Sequence, residues 1–330
     1  MRKLLLAIVL VLSSLSCFTS LRASSASISL QPGTLQHDGL ERSYWVHAPD
    51  GLEAGTPAPV VLALHGGRGT GKGMCPMSGG LMAVADEHGF LLVCPDGVER
   101  HWNDGRGIDD WRAHAEQIDD VGFLAALVEH LGQQWAIDRS AIFVTGISNG
   151  GLMSYRMACE RAELVQGIAA VTASLPEALA CDPSGPVSVL ILNGTDDPLV
   201  PYAGGEITVL RRQLGRVRST EETYDFWAEV NGCQRPAIVT AEPDLDPEDE
   251  TEVQRTVLDA CDDGTRVELY TVFGGGHTWP SGPQYLPAWV VGRVSRDLHA
   301  SQVIWEFFAG TMGARLSADG PQQSRVHSTS

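Results

Sequence analysis

Residues 141–155 read AIFVTGISNGGLMSY. An apolar, β-branched run leads into the pattern Gly-x-Ser-x-Gly, formed by Gly146, Ser148 and Gly150, and a helix-compatible segment follows. This order is typical of a sharp strand-to-helix turn that exposes a nucleophilic serine. Glycine is needed on both sides of the serine because side chains there would collide with the strand and the helix. With 36 glycines among 330 residues the short pattern alone is weak evidence, so the prediction depends on partner residues elsewhere.

The composition and charge of the chain restrict the classes of protein to which it can belong. Of its 330 residues, 43% are hydrophobic, which is enough for a substantial buried core. The formal net charge is −18, so the chain lacks the basic surface of a nucleic-acid-binding protein and attracts few anionic partners. These values favour a globular protein that does not bind nucleic acid.

The N-terminal residues 1–26 are predicted to be a signal peptide. A charged start, Arg2 and Lys3, precedes the apolar run Leu4–Leu12, which is too short to span a bilayer, and small residues follow. We therefore expect a secreted or periplasmic protein with no integral membrane span. Cys17 raises the alternative of a lipid anchor, but the leucine of a good lipidation motif is missing three positions before it. A further alternative is an uncleaved N-terminal helix.

Six of the seven cysteines lie beyond this segment, at positions 75, 94, 159, 181, 233 and 261. An even number of cysteines in an exported chain favours disulfides. The sequence does not fix their pairing, and we expect neighbours along the chain to pair: Cys75–Cys94, Cys159–Cys181 and Cys233–Cys261. The alternative is a set of buried free thiols. A zinc site is not expected, because no Cys-x-x-Cys or similar Cys/His spacing is present.

Short apolar segments alternate with helix-compatible segments along most of the chain. Predicted strands cover residues 59–64, 89–95, 141–147, 167–172, 187–192 and 266–273. Predicted helices include residues 81–88, 220–230 and 300–308 and the segments that follow positions 120 and 148. This alternation predicts an α/β fold, with a mostly parallel central sheet and helices on both faces. The expected domains are the signal peptide, a catalytic domain at 27–314 and a disordered tail at 315–330.

A serine nucleophile requires a base that takes its proton and a third group that orients the base. The chain order expected on this scaffold is serine, then carboxylate, then histidine. His277, His299 and His327 all follow Ser148. His299 lies in a predicted helix and His327 in the predicted tail, whereas His277 comes after a strand and the glycines 274–276. His277 is therefore the predicted base.

The predicted acid lies in the segment that follows the strand at 187–192. This segment contains Asp196 and Asp197, and one of them is expected to orient the imidazole and stabilise its charged form. Spacing alone does not separate the two carboxylates. The alternative is that both residues only close a turn before Pro198.

A glycine-rich loop follows the predicted strand at 59–64. On this scaffold the backbone N–H groups of such a loop and of the residue after the nucleophile hold the developing oxyanion. Gly66, Gly67 and Asn149 are therefore the predicted oxyanion hole. The alternative, a phosphate-binding loop, is disfavoured because the residues do not match a Walker pattern. His65 is expected to be structural rather than a second base.

Six blocks of the sequence come in one order and carry a family resemblance. They are HGG (65–67), CPDG leading to WNDGR (94–106), DDVGF (119–123), GISNGG (146–151), NGTDDPLVPY (193–202) and GGGHTWP (274–280). Together they resemble the extracellular esterase family that contains polyhydroxybutyrate depolymerase-like and feruloyl esterase-like enzymes. The resemblance covers about residues 40–310. It implies an α/β-hydrolase fold and ester hydrolysis without a metal or an organic cofactor.

The resemblance also bears on individual residues. It implies that Asp197, not Asp196, is the acid, since the family places its Asp directly before the Pro-x-Val-Pro segment. Asn193 departs from the family pattern, in which His is frequent, but it lies outside the expected triad. Trp102 and Trp279 are candidates for contact with substrate, and packing under loops is the alternative for each. The family cleaves esters of hydroxyalkanoates, of aromatic acids on plant polysaccharides or of small acyl groups.

The predicted function is therefore that of a secreted serine esterase, in which Ser148 attacks the ester, His277 relays the proton and Asp197 orients His277. The expected partner is an ester substrate, either small or polymeric. One alternative is a serine peptidase, which uses the same chemistry on another bond. The other is a non-catalytic binding protein on a hydrolase scaffold. Ester and peptide substrates offered to the purified protein separate these three functions.

Overall fold

The computed structural model describes residues 30–50, 52 and 55–318. The predicted signal peptide at 1–26, with Cys17 inside it, lies outside the described residues, as do positions 319–330 of the predicted tail.

Within the described residues the strands form one large sheet and a separate two-stranded hairpin. Numbered in chain order, they are β1 (Gln31–His37), β2 (Leu40–His47), β3 (Ala58–Leu64), β4 (Leu91–Pro95), β5 (Ile137–Ile147), β6 (Gly167–Val171), β7 (Ser188–Gly194), β8 (Gly205–Val209), β9 (Arg212–Val217), β10 (Ile238–Ala241), β11 (Glu252–Leu258) and β12 (Val267–Phe273). The large sheet has the order β1-β2-β4-β3-β5-β6-β7-β12-β11-β10, and β8 pairs with β9.

The centre of the large sheet is parallel. Strands β4, β3, β5, β6, β7 and β12 are adjacent in this order and pair with one another in parallel. The sheet is completed on one side by β2 and β1 and on the other by β11 and β10, all in antiparallel pairs. Strands β6 and β7 are buried along their whole length, as expected where helices cover both faces. The predicted α/β fold with a mostly parallel sheet is confirmed.

Helices cover the sheet on both faces. They are α1 (Gly71–Met77), α2 (Leu81–His88), α3 (Arg112–Ala115), α4 (Asp120–Leu131), α5 (Asn149–Glu160), α6 (Thr220–Val230), α7 (Ala288–Val291) and α8 (Ala300–Ala318). Alternate residues of β3 face opposite sides, because side chains alternate along a strand. Val60, Leu62 and Leu64 belong to the core shared with α4, α5 and α6, whereas Val61 and Ala63 belong to the core shared with α1, α2 and α8.

The bounds of α2 and α6 agree with the prediction, but α8 is longer than predicted. It continues to Ala318, so residues 315–318, predicted to begin the disordered tail, are helical. None of the helices in the described part of the chain combines the length and the apolar character that crossing a membrane requires.

Three disulfides join neighbouring cysteines, as predicted. Cys75–Cys94 links α1 to β4, Cys159–Cys181 links the end of α5 to the loop after β6, and Cys233–Cys261 links the segments after α6 and β11. The paired cysteines are separated by 19, 22 and 28 residues. Each bond therefore closes a short loop within its own part of the chain.

Replacing both Cys159 and Cys181 with serine is expected to lower the free energy of unfolding by about 3 kcal/mol, because the unfolded chain regains the entropy of an open loop. Urea unfolding of the variant and the parent at equal protein concentration measures the difference. Ester hydrolysis below the unfolding transition serves as the control and is expected to stay at the parental rate. An unchanged unfolding midpoint would contradict the prediction.

Candidate active site

Ser148 lies in the sharp turn between β5 and α5, where its backbone is strained. Its φ is 57° and its ψ is −123°, a conformation that a non-glycine residue rarely adopts. A Cβ on Gly146 would collide with the backbone of Gly150, and a Cβ on Gly150 would collide with the carbonyl of Leu64. The two glycines are therefore required for close packing of strand, turn and helix, as the sequence indicated. Strain of this kind is maintained only where the surroundings impose it.

His277 and Asp197 form a buried pair at the carboxyl edge of the sheet. The Nδ1 atom of His277 lies 2.7 Å from Oδ2 of Asp197, and their side chains are 4% and 2% exposed. The other oxygen of Asp197 accepts hydrogen bonds from the backbone N–H groups of Leu199 and Val200, at 2.8 and 2.9 Å. The carboxylate is thereby held in one orientation, and its contact with Nδ1 leaves the Nε2 edge of the imidazole for other partners.

Asp196 has a different environment. Its side chain is exposed and accepts a hydrogen bond from Thr195 Oγ1 at 3.2 Å. The structure therefore places Asp197, and not its neighbour, against the imidazole of His277. The family resemblance implied Asp197 as the acid, where spacing alone left the choice open, and this contact supports that prediction.

The loops that carry these residues emerge at the same edge because parallel strands end together. The N–H of Ser148 donates to the carbonyl of Val171 at the end of β6, and the N–H of Thr172 donates to Leu192 in β7. In the same way, the N–H of Thr195, which follows β7, donates to the carbonyl of Val272 in β12. Among the contacts of the described residues, Ser148 Oγ makes no hydrogen bond to His277, and such contacts often tighten only when substrate binds.

The glycine loop after β3 lies beside the serine. A Cβ on Gly66 would lie 3.5 Å from Ser148 Cβ, and one on Gly67 would lie 4.0 Å from Asn149 Cβ. His65 is fully buried behind this loop: its Nδ1–H donates to the Gly66 carbonyl at 2.8 Å, and its Nε2 accepts from Gly97 N–H at 3.0 Å. Burial lowers the pKa of His65, which keeps the ring neutral. Because both ring nitrogens are bonded, His65 supports the loop rather than acting as a second base.

The indole rings of Trp102 and Trp279 do not line an open pocket. Trp102 is fully buried and donates from Nε1 to the carbonyl of His65 at 3.0 Å. Trp279 is 3% exposed and donates to Ser301 Oγ at 3.2 Å. A ring that is enclosed in this way presents no face to a substrate. The expectation that these residues contact substrate is therefore corrected: both pack under loops, which was the alternative.

Residues that the sequence did not single out lie in the loop after His277. Tyr285 donates from its hydroxyl to the carbonyl of His277 at 2.8 Å. Burial, and then the nearby charge of Asp197, raise the pKa of this phenol. Leu286 follows in the same loop and is 45% exposed, and Trp289, in the short helix α7 that comes next, is 87% exposed. The signal in the sequence was the presence of apolar side chains in the segment that follows the predicted base.

His101 is a buried histidine next to the glycine loop. Its ring stacks on Trp111 with centroids 4.0 Å apart, and its Nδ1–H donates to the carbonyl of Glu99. Burial, reinforced by the positive charges of Arg68 and Arg106, lowers the pKa of His101 to about 4. The ring of His101 therefore stays neutral in the folded protein down to about pH 4, whereas in the unfolded chain it takes up a proton near pH 6.5.

Acid is expected to destabilise the fold through His101. Between the unfolded pKa of 6.5 and the folded pKa of about 4, the unfolded chain binds more protons than the folded one. The contribution of the neutral His101 ring to the free energy of unfolding is therefore complete above pH 6.5 and is lost as the pH falls to 4. The contribution is about 2 kcal/mol, less than the full shift implies, because water screens the part of the ring nearest the surface. Unfolding free energies measured from pH 7 to 4 are expected to fall less steeply for His101→Phe, which keeps the stacking. Equal slopes would refute this assignment.

The central parallel sheet, with a serine in the strained turn after β5, is the architecture of an α/β hydrolase. A solved structure agrees: acetyl xylan esterase from Aspergillus awamori superposes with a TM-score of 0.57, covering 86% of this chain and 99% of that chain at 17% sequence identity. Among curated sequences, the Nocardia uniformis subsp. tsuyamanensis protein NocK, named as an esterase, is 33% identical over 281 residues, which cover 82% of this chain and 80% of NocK.

Feruloyl esterase D of Neurospora crassa is 26% identical over 291 residues, which cover 84% of this chain and 85% of the relative. No family model matches the chain. The identity and coverage of the NocK match show that the chain belongs to the α/β-hydrolase esterase family that contains the feruloyl esterase-like and polyhydroxybutyrate depolymerase-like enzymes. It is an ester hydrolase.

Proposed function

We propose that the protein hydrolyses carboxylic esters through a triad of Ser148, His277 and Asp197. The observation that carries this proposal is the 2.7 Å contact between His277 Nδ1 and a buried Asp197 oxygen, at the sheet edge that also presents a strained serine. A serine hydroxyl becomes nucleophilic when a neutral imidazole accepts its proton. A carboxylate on Nδ1 keeps the proton there and leaves Nε2 as the base.

In the proposed reaction Ser148 Oγ attacks the ester carbonyl while His277 Nε2 takes the hydroxyl proton. The carbonyl oxygen becomes an oxyanion, and Asp197 stabilises the imidazolium. His277 then protonates the leaving alcohol, and the C–O bond of the ester breaks to leave an acyl-enzyme. Water then attacks the acyl-enzyme as His277 takes its proton. The bond to Ser148 Oγ breaks, His277 returns the proton to Oγ, and the carboxylic acid is released.

Backbone N–H groups at Gly66, Gly67 and Asn149 are proposed to hold the oxyanion. Asn149 is the first residue of α5, so its N–H has no partner within the helix. The positive end of the helix dipole favours negative charge at the same point. Gly66 and Gly67 lie beside the serine and carry no side chain that would block the carbonyl oxygen. These donors act most strongly in the transition state, where the charge develops.

The proposed substrates are feruloyl or other acyl esters of polysaccharides and esters of the hydroxyalkanoate type. The relative named feruloyl esterase D supports the first class. Exposed Leu286 and Trp289, close in sequence to the tyrosine that contacts His277, offer apolar surface to a bulky ester near the base. An aromatic or polymeric substrate gains contact area there that a small acetate ester does not.

We also propose that the protein is secreted or periplasmic, with residues 1–26 as its signal peptide and a single catalytic domain after it. The three disulfides support this location, because such bonds persist in oxidising compartments. Mass spectrometry of the protein recovered from the native culture medium or periplasm tests the proposal, since it gives the mature N-terminus. The same spectrum shows whether Cys17 is present and carries lipid.

The function itself is tested by turnover of a substrate panel with and without a serine-directed phosphonate. The panel contains p-nitrophenyl acetate and butyrate, methyl ferulate, short hydroxybutyrate oligomers and a peptide anilide. Phosphonate-sensitive hydrolysis of methyl ferulate or the oligomers, with labelling of Ser148, is the expected result. Preference for the anilide would indicate a peptidase. No turnover of these substrates and no labelling of Ser148 would contradict the proposed triad and substrate classes.

A further inference from the structure

A buried carboxylate lies behind the proposed oxyanion hole. Asp104, in the loop after β4, is fully buried. Its Oδ2 accepts a hydrogen bond from Asn149 Nδ2 at 2.6 Å, and Arg106 Nε lies 2.9 Å from each carboxylate oxygen. A buried carboxylate is stable only where its charge and lone pairs are matched. Arg106 supplies the opposite charge, and Asn149 supplies a short charge-assisted hydrogen bond.

The side chain of Asn149 is held at three points. Its Oδ1 accepts from the backbone N–H of Trp102 at 2.9 Å, and its Nδ2 donates to the carbonyl of Trp102 at 3.0 Å and to Asp104. Both hydrogens of the amide are therefore used. These partners also fix its orientation, because a reversed amide would set Oδ1 against the carboxylate and Nδ2 against an N–H group.

The anchored side chain belongs to the residue whose backbone N–H is proposed to face the reaction. Asn149 directly follows Ser148 and begins α5, and it is 3% exposed. The direction of its N–H depends on the plane of the peptide between Ser148 and Asn149. A side chain fixed to the loop at 102–104 restricts the backbone of Asn149 and so fixes this plane. An oxyanion donor is effective only when it is aimed correctly before the charge appears.

We propose that Asp104 is a positioning residue of the oxyanion hole, which acts through the side chain of Asn149 to aim the backbone N–H of Asn149. The inference rests on the proposed function, because only a reaction at Ser148 needs a donor at this place. In this arrangement each contact has a role: Arg106 neutralises Asp104, Asp104 orients the Asn149 amide, and Asn149 presents its N–H.

The first variant is Asp104→Asn, which keeps the size of the side chain but removes its charge and one acceptor. Its kcat for p-nitrophenyl butyrate is expected to fall about 10- to 100-fold while KM changes little, because a misaimed donor weakens the transition state rather than substrate binding. The rate of phosphonate labelling of Ser148 is expected to fall in parallel. The pH profile is expected to keep its shape, since Asp104 does not contact His277.

The second variant, Asn149→Ala, leaves the Asp104–Arg106 pair intact and keeps the backbone N–H, but it removes the anchor. It is expected to lose kcat to a similar extent. The double variant is expected to lose little more than either single variant, because both changes break one chain of contacts. If Asp104→Asn does not fold, the kinetics of Asn149→Ala decide the question.

The matched control is Glu268→Gln. Glu268 is another buried carboxylate, 1% exposed, and accepts from Arg255 Nε at 3.0 Å. It pairs with Leu190 near the amino end of β7, away from the edge that carries Ser148. Glu268→Gln is expected to lower stability while kcat stays at the parental value. An equal loss of kcat in this control would show that the loss in Asp104→Asn follows from stability, and it would overturn the inference.

Parental kcat in folded Asn149→Ala would likewise overturn the inference, as would a loss confined to KM. Ser148→Ala separates such a failure from a failure of the proposed function. If Ser148→Ala is inactive while the Asp104 and Asn149 variants are fully active, the triad stands and only the positioning role is wrong. If Ser148→Ala is fully active, the reaction does not occur at this serine, and both proposals are wrong.

Discussion

Ser148→Ala is expected to lower kcat for ester hydrolysis about a million-fold, because the variant has no group that can form the acyl-enzyme. The remaining rate then comes from binding and from the oxyanion donors alone. The strained backbone conformation at this position, with φ 57°, destabilises the fold equally with alanine and with serine, so the variant is expected to fold. The rate of p-nitrophenyl butyrate hydrolysis under saturating conditions measures the effect, and phosphonate labelling is expected to disappear with it.

The matched control for this variant is Ser154→Ala, in the same helix α5. Ser154 is fully buried and donates to the carbonyl of Gly150 at 2.9 Å, so its hydroxyl is satisfied locally and faces away from solvent. Its removal is expected to change kcat by less than about threefold, as for a local hydrogen bond without a role in the reaction. Activity above about one per cent of the parental rate in Ser148→Ala would contradict the proposed nucleophile.

Asp197→Asn is expected to lower kcat about ten-thousand-fold at neutral pH with little change in KM. Because the backbone N–H groups of Leu199 and Val200 hold the Oδ1 position, the amide nitrogen of the substituted side chain would occupy the position that contacts His277. An amide N–H there donates to Nδ1 and forces the imidazole proton onto Nε2, where a base needs a free lone pair. Steady-state kinetics at pH 7 measure the loss.

Asp196→Asn is the control that separates the two neighbouring carboxylates. Asp196 is exposed, and the only hydrogen bond of its side chain among the described residues is with Thr195. Its replacement is expected to leave kcat within about twofold of the parental value, since an exposed carboxylate in high dielectric has little influence on a buried pair. Equal losses in the two variants, or a larger loss in Asp196→Asn, would refute the assignment of the acid.

Much of the fold was predictable because its signals are local. The apolar runs at β3, β6 and β7 are typical of strands buried on both faces, and their alternation with amphipathic helices allows few arrangements other than a parallel sheet. The β8–β9 hairpin and the outer strands β10 and β11 were not predicted, because their residues are partly or largely exposed. Without a continuous buried face, such strands leave little pattern in the sequence.

The proposed triad could be predicted for a different reason. Ser148 and His277 each stand next to glycines that mark a tight turn after a strand, so residue type and position agree. The carboxylate needed the family pattern or the structure, since Asp196 and Asp197 are adjacent and only geometry shows which of them reaches the ring.

The contact between Asp104 and the side chain of Asn149 could not be predicted from local signals in the sequence. Asp104 and Asn149 are 45 residues apart, and neither the charge of the first nor the amide of the second distinguishes it from a surface residue. The same limit explains why the sequence did not show that Trp102 and Trp279 pack under loops. An indole has an apolar body and one donor, which suits a substrate pocket and a buried contact equally. Only the fold shows that Trp102 donates to His65 beneath the loop.

The arrangement of the three disulfides has a consequence for how the chain acquires them. No two of the closed loops overlap, since each of the six cysteines pairs with its immediate neighbour in the sequence. A chain that enters an oxidising compartment from its N-terminal side therefore presents each correct pair before the next pair arrives. Native bonds can form in order of emergence, and correct pairing needs no later exchange between distant segments. A reductant can also cleave any one of the three disulfides while the other two stay closed.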